Sequence, residues 1–329
     1  MTKNILVFRT DRIGDLLITC PSIKTIKKNF PESELSIMTS ERNYTYAKTF
    51  DFIDNVYLFP KKNILEKIKL FVKLSRKNFD KIVIFDGKDR SIIFSCFLKS
   101  HRKVSKITNK KQAFFCKLFK IKFSYDIFGN DLNDLHQDLL RFIDINNKIE
   151  NFDYLMKKND NNFSSKIPFQ DFIQIHLDEK WFNTTYIKEY TDINPSFEEF
   201  TNFLKSISEK NNILITTGLK TNNLIERLEL NSVNKLSKNI FLNNIKENII
   251  LVKNPSFLDL ESLLRKTKVL ISCHGALTHA AASFNIKIID IVEESKDELV
   301  KRYSLYIKNY YKIYREKFSA IKNKINNFI

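Results

Sequence analysis

A buried strand, a turn and the start of a helix follow one another near the N-terminus, in the stretch Asn4-Ile5-Leu6-Val7-Phe8-Arg9-Thr10-Asp11-Arg12-Ile13-Gly14-Asp15-Leu16-Leu17-Ile18. The apolar run at residues 5–8 has no polar alternation, which is typical of a central strand covered on both faces. The apolar segment after Gly14 is typical of a helix. Together they predict the first half of a βαβ unit.

Short β-branched or aromatic runs alternate with longer amphipathic segments over most of the chain. In the first half we predict strands at residues 4–8, 35–38, 56–59 and 81–85, and helices at 14–28, 42–49, 64–75 and 90–98. In the second half we predict strands at 172–176, 212–217, 248–252, 269–272 and 287–291, and helices at 196–209, 222–230, 256–266 and 276–283. The pattern predicts an α/β protein with two Rossmann-like, doubly wound domains of parallel sheet that face each other across a cleft.

A polar segment at residues 146–168 is the predicted linker. We therefore expect one domain over residues 1–150, a second over 169–305 and a C-terminal amphipathic, basic helix over 306–329. That helix is indicated by an apolar stripe at spacings of three and four, formed by Tyr303, Tyr306, Tyr310, Tyr314, Phe318, Ile321 and Ile325. We expect the first half of the stripe to pack on the protein and residues 317–329 to contact anionic lipid head groups.

The composition excludes several classes of protein. Of 329 residues, 43% are hydrophobic and only 5 are glycine, which excludes disordered and collagen-like chains. The net charge of +17 indicates an anionic partner, although an AT-rich genome also produces an abundance of lysine. The four cysteines form no C-x-x-C pair, and Arg9 closes the first apolar run before a signal-peptide core is complete. We therefore predict a reduced, cytoplasmic protein.

The first candidate site is the turn after the first strand, where Asp15 follows Gly14 at the start of a helix. A carboxylate in this position caps the helix and is stabilised by the helix dipole by roughly 0.3–1 kcal/mol, so capping alone explains the residue. Its position also favours catalysis, because doubly wound domains bind ligands beyond the carboxyl ends of their strands. Both interpretations stay open at this point.

The second candidate site is the segment Ile271-Ser272-Cys273-His274-Gly275-Ala276-Leu277-Thr278-His279-Ala280. A strand leads through a glycine turn into a helix of small residues. The free backbone N–H groups, a hydroxyl and two imidazoles suit a diphosphate. The spacing of five between His274 and His279 does not suit two metal ligands on one helix face. Capping and close helix packing explain the same residues without a ligand.

Both segments resemble the signature regions of glycosyltransferase family 9, the ADP-heptose:lipopolysaccharide heptosyltransferases. The matching residues are Arg9-Thr10-Asp11-Arg12-Ile13-Gly14-Asp15 with Pro21, and Gly275-Ala276-Leu277-Thr278-His279-Ala280-Ala281-Ala282. Further resemblances are His136 with the helix after it, His176 with Lys180-Trp181, and residues 213–218 and 259–264. The family usually carries Asp-Ser/Thr-Gly before the second signature helix. This chain has Cys273-His274-Gly275 there, with one extra residue before His279.

The resemblance implies the GT-B architecture, with an acceptor-binding first domain and a donor-binding second domain. It implies transfer of a heptose or similar sugar, with inversion, from an ADP-linked nucleotide sugar to an anionic glycolipid, lipopolysaccharide or other surface-glycan acceptor at the inner face of the cytoplasmic membrane. Asp15 would be the general base, and Arg9, Arg12 and Gly14 would lie around the acceptor. The implied donor-binding residues are Lys180, Thr216, Thr217, Gly218, His274, Gly275, Thr278 and His279.

The sequence contains no Asp-x-Asp, G-x-G-x-x-G or P-loop motif. We therefore expect no metal and no cofactor other than the nucleotide sugar as co-substrate. Two alternatives stay open. A related protein that has lost catalysis would only bind a sugar nucleotide, which the Cys273-His274 departure favours. A basic nucleic-acid-binding protein would explain the charge, but no recognised motif supports it, and we expect no nucleic-acid partner.

Overall fold

The computed structural model describes residues 3–127, 131–149, 161–182, 189–218, 220 and 222–329. The chain divides into two compact units, residues 1–159 and 160–329, and each has its own sheet. Residues 150–160 of the predicted linker lie outside the described residues. The end of that segment belongs to the second unit, because a 3₁₀ turn at Asn162–Lys166 is held there by a hydrogen bond of 3.0 Å from Ser164 N to Ser262 Oγ.

The first unit contains a six-stranded parallel sheet. Its strands are β1 (Asn4–Arg9), β2 (Glu34–Thr39), β3 (Asn55–Leu58), β4 (Phe79–Ile84), β5 (Ser100–Ile107) and β6 (Lys122–Tyr125). Its helices are α1 (Ile13–Asn29), α2 (Tyr44–Ala47), α3 (Ile64–Ser75), α4 (Asp89–Cys96), α5 (Lys110–Leu118) and α6 (Leu132–Arg141). The strand order is β3-β2-β1-β4-β5-β6, the Rossmann order, which reverses between β1 and β4.

The central strands are apolar because both of their faces are covered. Ile5, Leu6, Val7 and Phe8 have no exposed area, and neither do Ile82, Val83 and Ile84. The strands and helices predicted for residues 4–98 all form. The sequence did not predict β5, because its residues Ser100–Ile107 mix lysine, arginine and serine with few apolar side chains, as strands near a sheet edge often do.

The second unit contains an eight-stranded sheet. Its strands are β7 (Phe172–Leu177), β8 (Ile213–Thr217), β9 (Ser232–Ser237), β10 (Ile240–Asn243), β11 (Ile249–Val252), β12 (Thr267–Cys273), β13 (Lys287–Val292) and β14 (Tyr310–Tyr314). Its helices are α7 (Phe197–Ile207), α8 (Asn223–Leu230), α9 (Phe257–Leu264), α10 (Ala276–Ala282), α11 (Asp297–Ser304) and α12 (Phe318–Asn326). The strand order is β14-β13-β12-β7-β8-β11-β10-β9.

The sequence predicted a parallel sheet in the second domain, but the second sheet is mixed. β10 pairs antiparallel with both β9 and β11, whereas the neighbours from β14 to β11 are parallel. The hairpin escaped prediction because the sequence of β9 is mostly polar, so it lacks the apolar run that marks the central strands.

The helix predicted over residues 306–329 is wrong. Residues Tyr310–Tyr314 form β14, which pairs with β13, and α12 follows. Phe318, Ile321 and Ile325 are at most 1% exposed and belong to the main core cluster of the second unit. The aromatic and β-branched residues at 310–314 suit a strand as well as they suit a helical stripe, and pairing with β13 decides between the two. The tail is therefore part of the sheet and core of the second unit.

None of the helices that the structure describes is long and apolar enough to cross a membrane. Residues 269–286 contain no Asp, Glu, Lys or Arg, but this apolar stretch is divided between β12 and α10. The four cysteines all lie in the described part of the chain, and none of them forms a disulfide there. Burial raises the pKa of Cys116 and of Cys273 to about 12, so both thiols stay protonated and unreactive at neutral pH.

Candidate functional site

A polar cavity of about 480 Å³ lies at the carboxyl ends of β1 to β4. It therefore lies where the strand order of the first sheet reverses, which is where open α/β sheets bind ligands. The lining residues are Thr10, Asp11, Arg12, Asp15, Ser40, Glu41, Arg42, Phe59, Lys61, Lys88 and Arg90. Five of them are cationic and three are acidic, so the cavity favours an anionic ligand.

Asp15 caps α1 and also lines this cavity. Its Oδ2 accepts a hydrogen bond of 3.2 Å from Arg12 N. Its Oδ1 lies 3.6 Å from a guanidinium nitrogen of Arg9, and 41% of the Asp15 side chain is exposed. Capping engages Oδ2, so the two roles considered for Asp15 are compatible.

Arg9 and Gly14 do not line the cavity, contrary to the expectation that they surround the acceptor. Arg9 is buried, and its guanidinium donates hydrogen bonds to Phe85 O (2.8 Å) and Asp15 O (2.9 Å). It therefore ties the start of α1 to the end of β4. Gly14 lies in the first turn of α1 with an ordinary φ. Arg12, in contrast, does line the cavity.

Sequence reasoning missed the cations that follow β2, β3 and β4, namely Arg42, Lys61, Lys88 and Arg90. Buried Asp86 organises part of this group, because its Oδ2 accepts hydrogen bonds from Thr10 N (3.0 Å) and Thr10 Oγ1 (2.6 Å). Arg90 in turn donates to the carbonyl and hydroxyl oxygens of Thr10. A signal was present, since the polar segment from Asp86 directly follows a buried strand, as the Asp15 turn does.

Asp11 supplies a second carboxyl group to the cavity. Its Oδ1 lies 3.4 Å from Arg9 Nε. Burial raises the pKa of Asp11 above its ordinary value; Asp15 and Asp86 add to the rise, while Arg9 and Lys88 oppose it. The cavity therefore combines an exposed carboxylate, Asp15, with a mostly buried carboxyl group, Asp11, whose pKa is raised.

The second group of candidate residues lies at the carboxyl ends of β7, β8 and β12. The strand order of the second sheet reverses between β7 and β12. Lys180, in the 3₁₀ turn after β7, spans this reversal: its Nζ donates to His274 O (2.8 Å) and Cys273 O (3.3 Å) and pairs with Asp178 Oδ2 (2.9 Å). The Lys180 ammonium is thus held at the start of α10.

Gly275 leaves room for Lys180. A Cβ at position 275 would lie 2.6 Å from Lys180 Nζ, closer than any real contact. The φ angle of Gly275 is 177°, which any residue adopts, so the close approach of Lys180 explains the glycine. Arg315 supports the same region, because it donates to the carbonyl oxygens of Lys180 and Thr191.

His274, Thr278 and His279 belong to the same cluster. His274 Nδ1 lies 2.6 Å from Asp290 Oδ2, and 17% of its side chain is exposed. Thr278 is fully buried and donates to Asp290 Oδ1 (3.2 Å). His279 is also buried, with Nδ1 3.0 Å from Tyr306 Oη, and burial lowers the pKa of His279 well below its ordinary value. His279 is therefore a neutral, buried residue, whereas His274 is partly exposed.

Thr216 and Thr217, which were expected to bind the donor, are buried and engaged within the protein. Thr216 Oγ1 lies 3.0 Å from His176 Nδ1, and Thr217 Oγ1 accepts a hydrogen bond of 2.9 Å from Asn254 N. Gly218 N donates to Leu177 O (3.0 Å). These residues hold the ends of β7, β8 and β11 together. Both threonine hydroxyl groups therefore have hydrogen-bond partners within the second unit.

Asp290 is the main residue of this cluster that sequence reasoning missed. It is fully buried in β13, next to β12, the strand that leads to His274, and it also accepts a hydrogen bond of 2.8 Å from Tyr310 Oη. Its sequence signal is a single acid within Ile288-Ile289-Asp290-Ile291-Val292, since a buried carboxylate needs partners. Among the described residues, no group of three His, Cys, Asp or Glu side chains is arranged to hold a metal ion.

No protein-family model matches this sequence, and no curated protein sequence matches it. Solved structures do match. The chain is similar to the glycosyl transferase of family 9 from Veillonella parvula, with a TM-score of 0.69 and 14% identity over 99% of this chain and 91% of that one. It is also similar to E. coli heptosyltransferase WaaC with ADP-2-deoxy-2-fluoro heptose, with a TM-score of 0.67 and 14% identity over 99% of this chain and 100% of that one.

A UDP-GlcNAc 2-epimerase from Methanocaldococcus jannaschii has the same architecture, with a TM-score of 0.54 and 11% identity over 100% of this chain and 92% of that one. At these identities the likeness is one of fold. It confirms the two-sheet α/β fold that the resemblance implied, that of the GT-B glycosyltransferases. The reaction has to be inferred from the residues of the two clusters.

Proposed function

We propose that the protein transfers a sugar from a nucleotide-diphosphate donor to an acceptor hydroxyl, with inversion at the anomeric carbon. The observation that carries the proposal is the presence of Asp15, an exposed carboxylate, in a cationic cavity at the point where the strand order reverses. Inverting transfer needs a base for the acceptor proton and a cationic group for the departing diphosphate. The fold likeness to heptosyltransferases supports the same class of reaction.

In this mechanism Asp15 takes the proton of the acceptor hydroxyl. The freed oxygen forms a bond to the anomeric carbon of the sugar, while the bond from that carbon to the diphosphate oxygen breaks and leaves its electron pair on the diphosphate. Arg12, Lys88 and Arg90 bind anionic groups of the acceptor around Asp15. The acceptor is an anionic glycolipid or other surface glycan, and the enzyme acts at the inner face of the cytoplasmic membrane.

The donor binds the second unit, and Lys180 and His274 stabilise its diphosphate. Asp290 supports this by fixing His274 through Nδ1, which turns the other ring nitrogen to the ligand. Gly275 leaves room for the Lys180 ammonium at the start of α10. The donor is an ADP-linked heptose or similar sugar, as in the WaaC complex, and the reaction uses no metal and no further cofactor.

A panel of nucleotide sugars tests the proposal. ADP-, UDP-, GDP- and CDP-linked sugars are each titrated into the full-length protein, and the midpoint of thermal unfolding is recorded. A ligand at about 100 times its Kd stabilises the fold by about 2.7 kcal/mol. The stabilising donor is then used in a transfer assay with and without EDTA, and we expect equal rates.

Four outcomes contradict the proposal. If no nucleotide sugar stabilises the protein, the proposed binding of a nucleotide-sugar donor is wrong. Binding without transfer to any glycan assigns the chain to sugar-nucleotide-binding proteins that have lost catalysis, and conversion of the donor to its 2-epimer assigns it to epimerases. If activity requires Mg²⁺ or Mn²⁺, Lys180 and His274 are not the groups that stabilise the departing diphosphate.

A further inference from the structure

Helix α3 exposes an apolar face although it belongs to a folded unit. Ile64, Leu65, Ile68 and Val72 are 68%, 70%, 53% and 41% exposed. Positions 64, 68 and 72 lie on one helical face, with 65 beside them. The other face packs on the sheet through Leu74 and, in part, Leu70 and Phe71. Helix α3 therefore has one apolar face for the core and a second that the core does not use.

The exposed surface continues from α3 to α5. Leu74, Ile92 and Cys116 join one core cluster, so helices α3, α4 and α5 pack on the same face of the sheet. The ring of Phe97 lies 6.5 Å from that of Phe71 and 5.8 Å from that of Phe119, which connects the helices at the surface. Further exposed members are Ile93, Phe97, Phe114 and Leu118, between 43% and 65% exposed. We call these residues, with those of α3, the α3–α5 patch.

The segments that carry the α3–α5 patch are rich in basic residues. Residues 61–77 contain Lys61, Lys62, Lys67, Lys69, Lys73, Arg76 and Lys77 against the single acid Glu66. Residues 110–122 add Lys110, Lys111, Lys117, Lys120 and Lys122 with no acid. Contiguous apolar area on segments rich in basic residues is the chemistry of a surface that binds the interface of an anionic membrane, where lysines meet head groups and apolar side chains enter the acyl boundary.

The α3–α5 patch also adjoins the cavity. Phe59 and Lys61 line the cavity, and α3 begins three residues after Lys61. An acceptor held in the membrane by its lipid would therefore reach the cavity from the surface on which α3 lies. In the tail, by contrast, the side chains Phe318, Ile321 and Ile325 of α12 are buried, so these three residues are not available to lipid.

We propose that the α3–α5 patch docks the protein on a membrane surface rich in anionic phospholipid. The inference goes beyond the proposed function, which it complements by bringing a lipid-linked acceptor to the cavity. Attraction of lysines to the head groups supplies long-range association, and burial of Ile64, Leu65, Ile68 and their neighbours supplies the short-range part.

Vesicle co-sedimentation of the full-length protein tests the proposal. We expect at least tenfold tighter binding to vesicles with 30% phosphatidylglycerol than to pure phosphatidylcholine. Leu65→Ser combined with Ile68→Ser should weaken binding to the anionic vesicles by at least tenfold. The matched control combines Leu230→Ser with Leu305→Ser, which removes two leucines of the second unit that are 83% and 58% exposed, and should bind as the wild type does.

A second measurement reports whether the α3–α5 patch enters the lipid bilayer. In Leu65→Trp the new indole should be quenched by brominated phospholipids, whereas in Leu230→Trp it should not, and the native Trp181 is fully buried and gives a constant background. Equal binding to neutral and anionic vesicles, unchanged binding of the α3 double variant, or absence of quenching would overturn the proposal. A soluble dimer that the α3 double variant abolishes would assign the patch to a second copy of the chain. Nucleotide-sugar binding, measured separately, decides the proposed function independently of these outcomes.

Discussion

Asp15 shows at the scale of one residue how a helix cap can also serve as a base. We predict that Asp15→Asn lowers the turnover number by roughly 10²–10⁴ and leaves nucleotide affinity and stability nearly unchanged. The asparagine carbonyl still accepts the hydrogen bond from Arg12 N, but the amide cannot take a proton. The measurement is turnover in the transfer assay, with urea unfolding alongside.

Glu199→Gln is the matched control, because Glu199 accepts a hydrogen bond from Ser196 N at the corresponding cap position of α7 and lies outside both clusters. It should leave turnover at the wild-type value. If Asp15→Asn loses stability and keeps full turnover per folded molecule, Asp15 is a cap only.

Gly275 gives a second prediction at this scale. In Gly275→Ala the new methyl group must displace the tip of Lys180, which is flexible, so the fold should persist. Loss of the fixed ammonium should weaken nucleotide-diphosphate binding by about 10–100-fold, the range for a charge-assisted hydrogen bond. Isothermal titration with the donor's nucleotide checks this.

Gly218→Ala provides the contrast. There the methyl group would meet the backbone of Asp178 at 3.1 Å, and backbone cannot move aside as a lysine tip can. We therefore expect Gly218→Ala to lower the melting temperature and Gly275→Ala to lower affinity. The reverse result would refute the account of Gly275.

The buried His176 gives a pH prediction. Burial lowers its pKa from 6.5 to about 4, so between these values the unfolded chain binds a proton that the folded chain does not. Stability should therefore fall as pH drops from 6.5 towards 4, by up to about 3 kcal/mol from this residue. Burial also lowers the pKa of His279, so His279 too should make the folded state less stable as the pH falls. Urea unfolding at several pH values measures the slope.

His176→Asn should flatten this slope, because asparagine keeps a polar partner for Thr216 but does not titrate. His101→Asn, at an exposed position of β5, should leave the slope as it is. An unchanged slope in His176→Asn would mean that other groups cause the acid instability.

At the scale of elements, β14 and α12 show that the tail closes the second unit. Phe318 contacts the rings of Trp181, Phe200 and Phe203 at 5.5–6.4 Å between centroids. We predict that Phe318→Ala lowers the free energy of unfolding by about 3–5 kcal/mol, through lost burial and a residual cavity. Denaturant unfolding checks this value.

Ser319→Ala, at the exposed neighbouring position of α12, should change stability by less than about 0.5 kcal/mol. Equal stability of Phe318→Ala and Ser319→Ala would show that α12 does not contribute to the core. A truncation at residue 316 would not test whether the tail binds lipid. It would remove the core residues Phe318, Ile321 and Ile325 together, so a change in lipid binding would report unfolding of the second unit.

At the scale of the whole molecule, two units with separate sheets and cores should respond separately to the donor. We predict that a saturating nucleotide diphosphate slows amide hydrogen exchange at residues 178–182 and 273–279 of the second unit, and leaves β1 and α1 of the first unit unchanged. Hydrogen exchange with mass spectrometry measures both regions in one sample. Protection of β1 and α1 without protection of the second unit would move the donor to the first unit.

The sequence by itself determined the class of fold and the position of the two clusters. Central strands such as Ile5–Phe8 must be apolar on both faces, so their pattern survives in the sequence, and ligands bind beyond the ends of such strands. The same reasoning singled out Asp15, His274 and Gly275, whereas Lys180 was expected only from the family resemblance. It could not locate Asp290 as a partner of His274, because their contact depends on which strand lies next to β12.

Only the tertiary structure decided which side chains face solvent. Thr216, Thr217 and Arg9 have the chemistry of ligand-binding residues, but neighbouring strands and turns use up their hydrogen bonds. Phe318, Ile321 and Ile325 of the tail belong to the core, whereas Ile64, Leu65 and Ile68 of α3 are exposed. Local periodicity is the same for a face that meets the core and a face that meets a membrane. What distinguishes the two is the packing of distant elements, and a single sequence does not encode that packing in any local pattern.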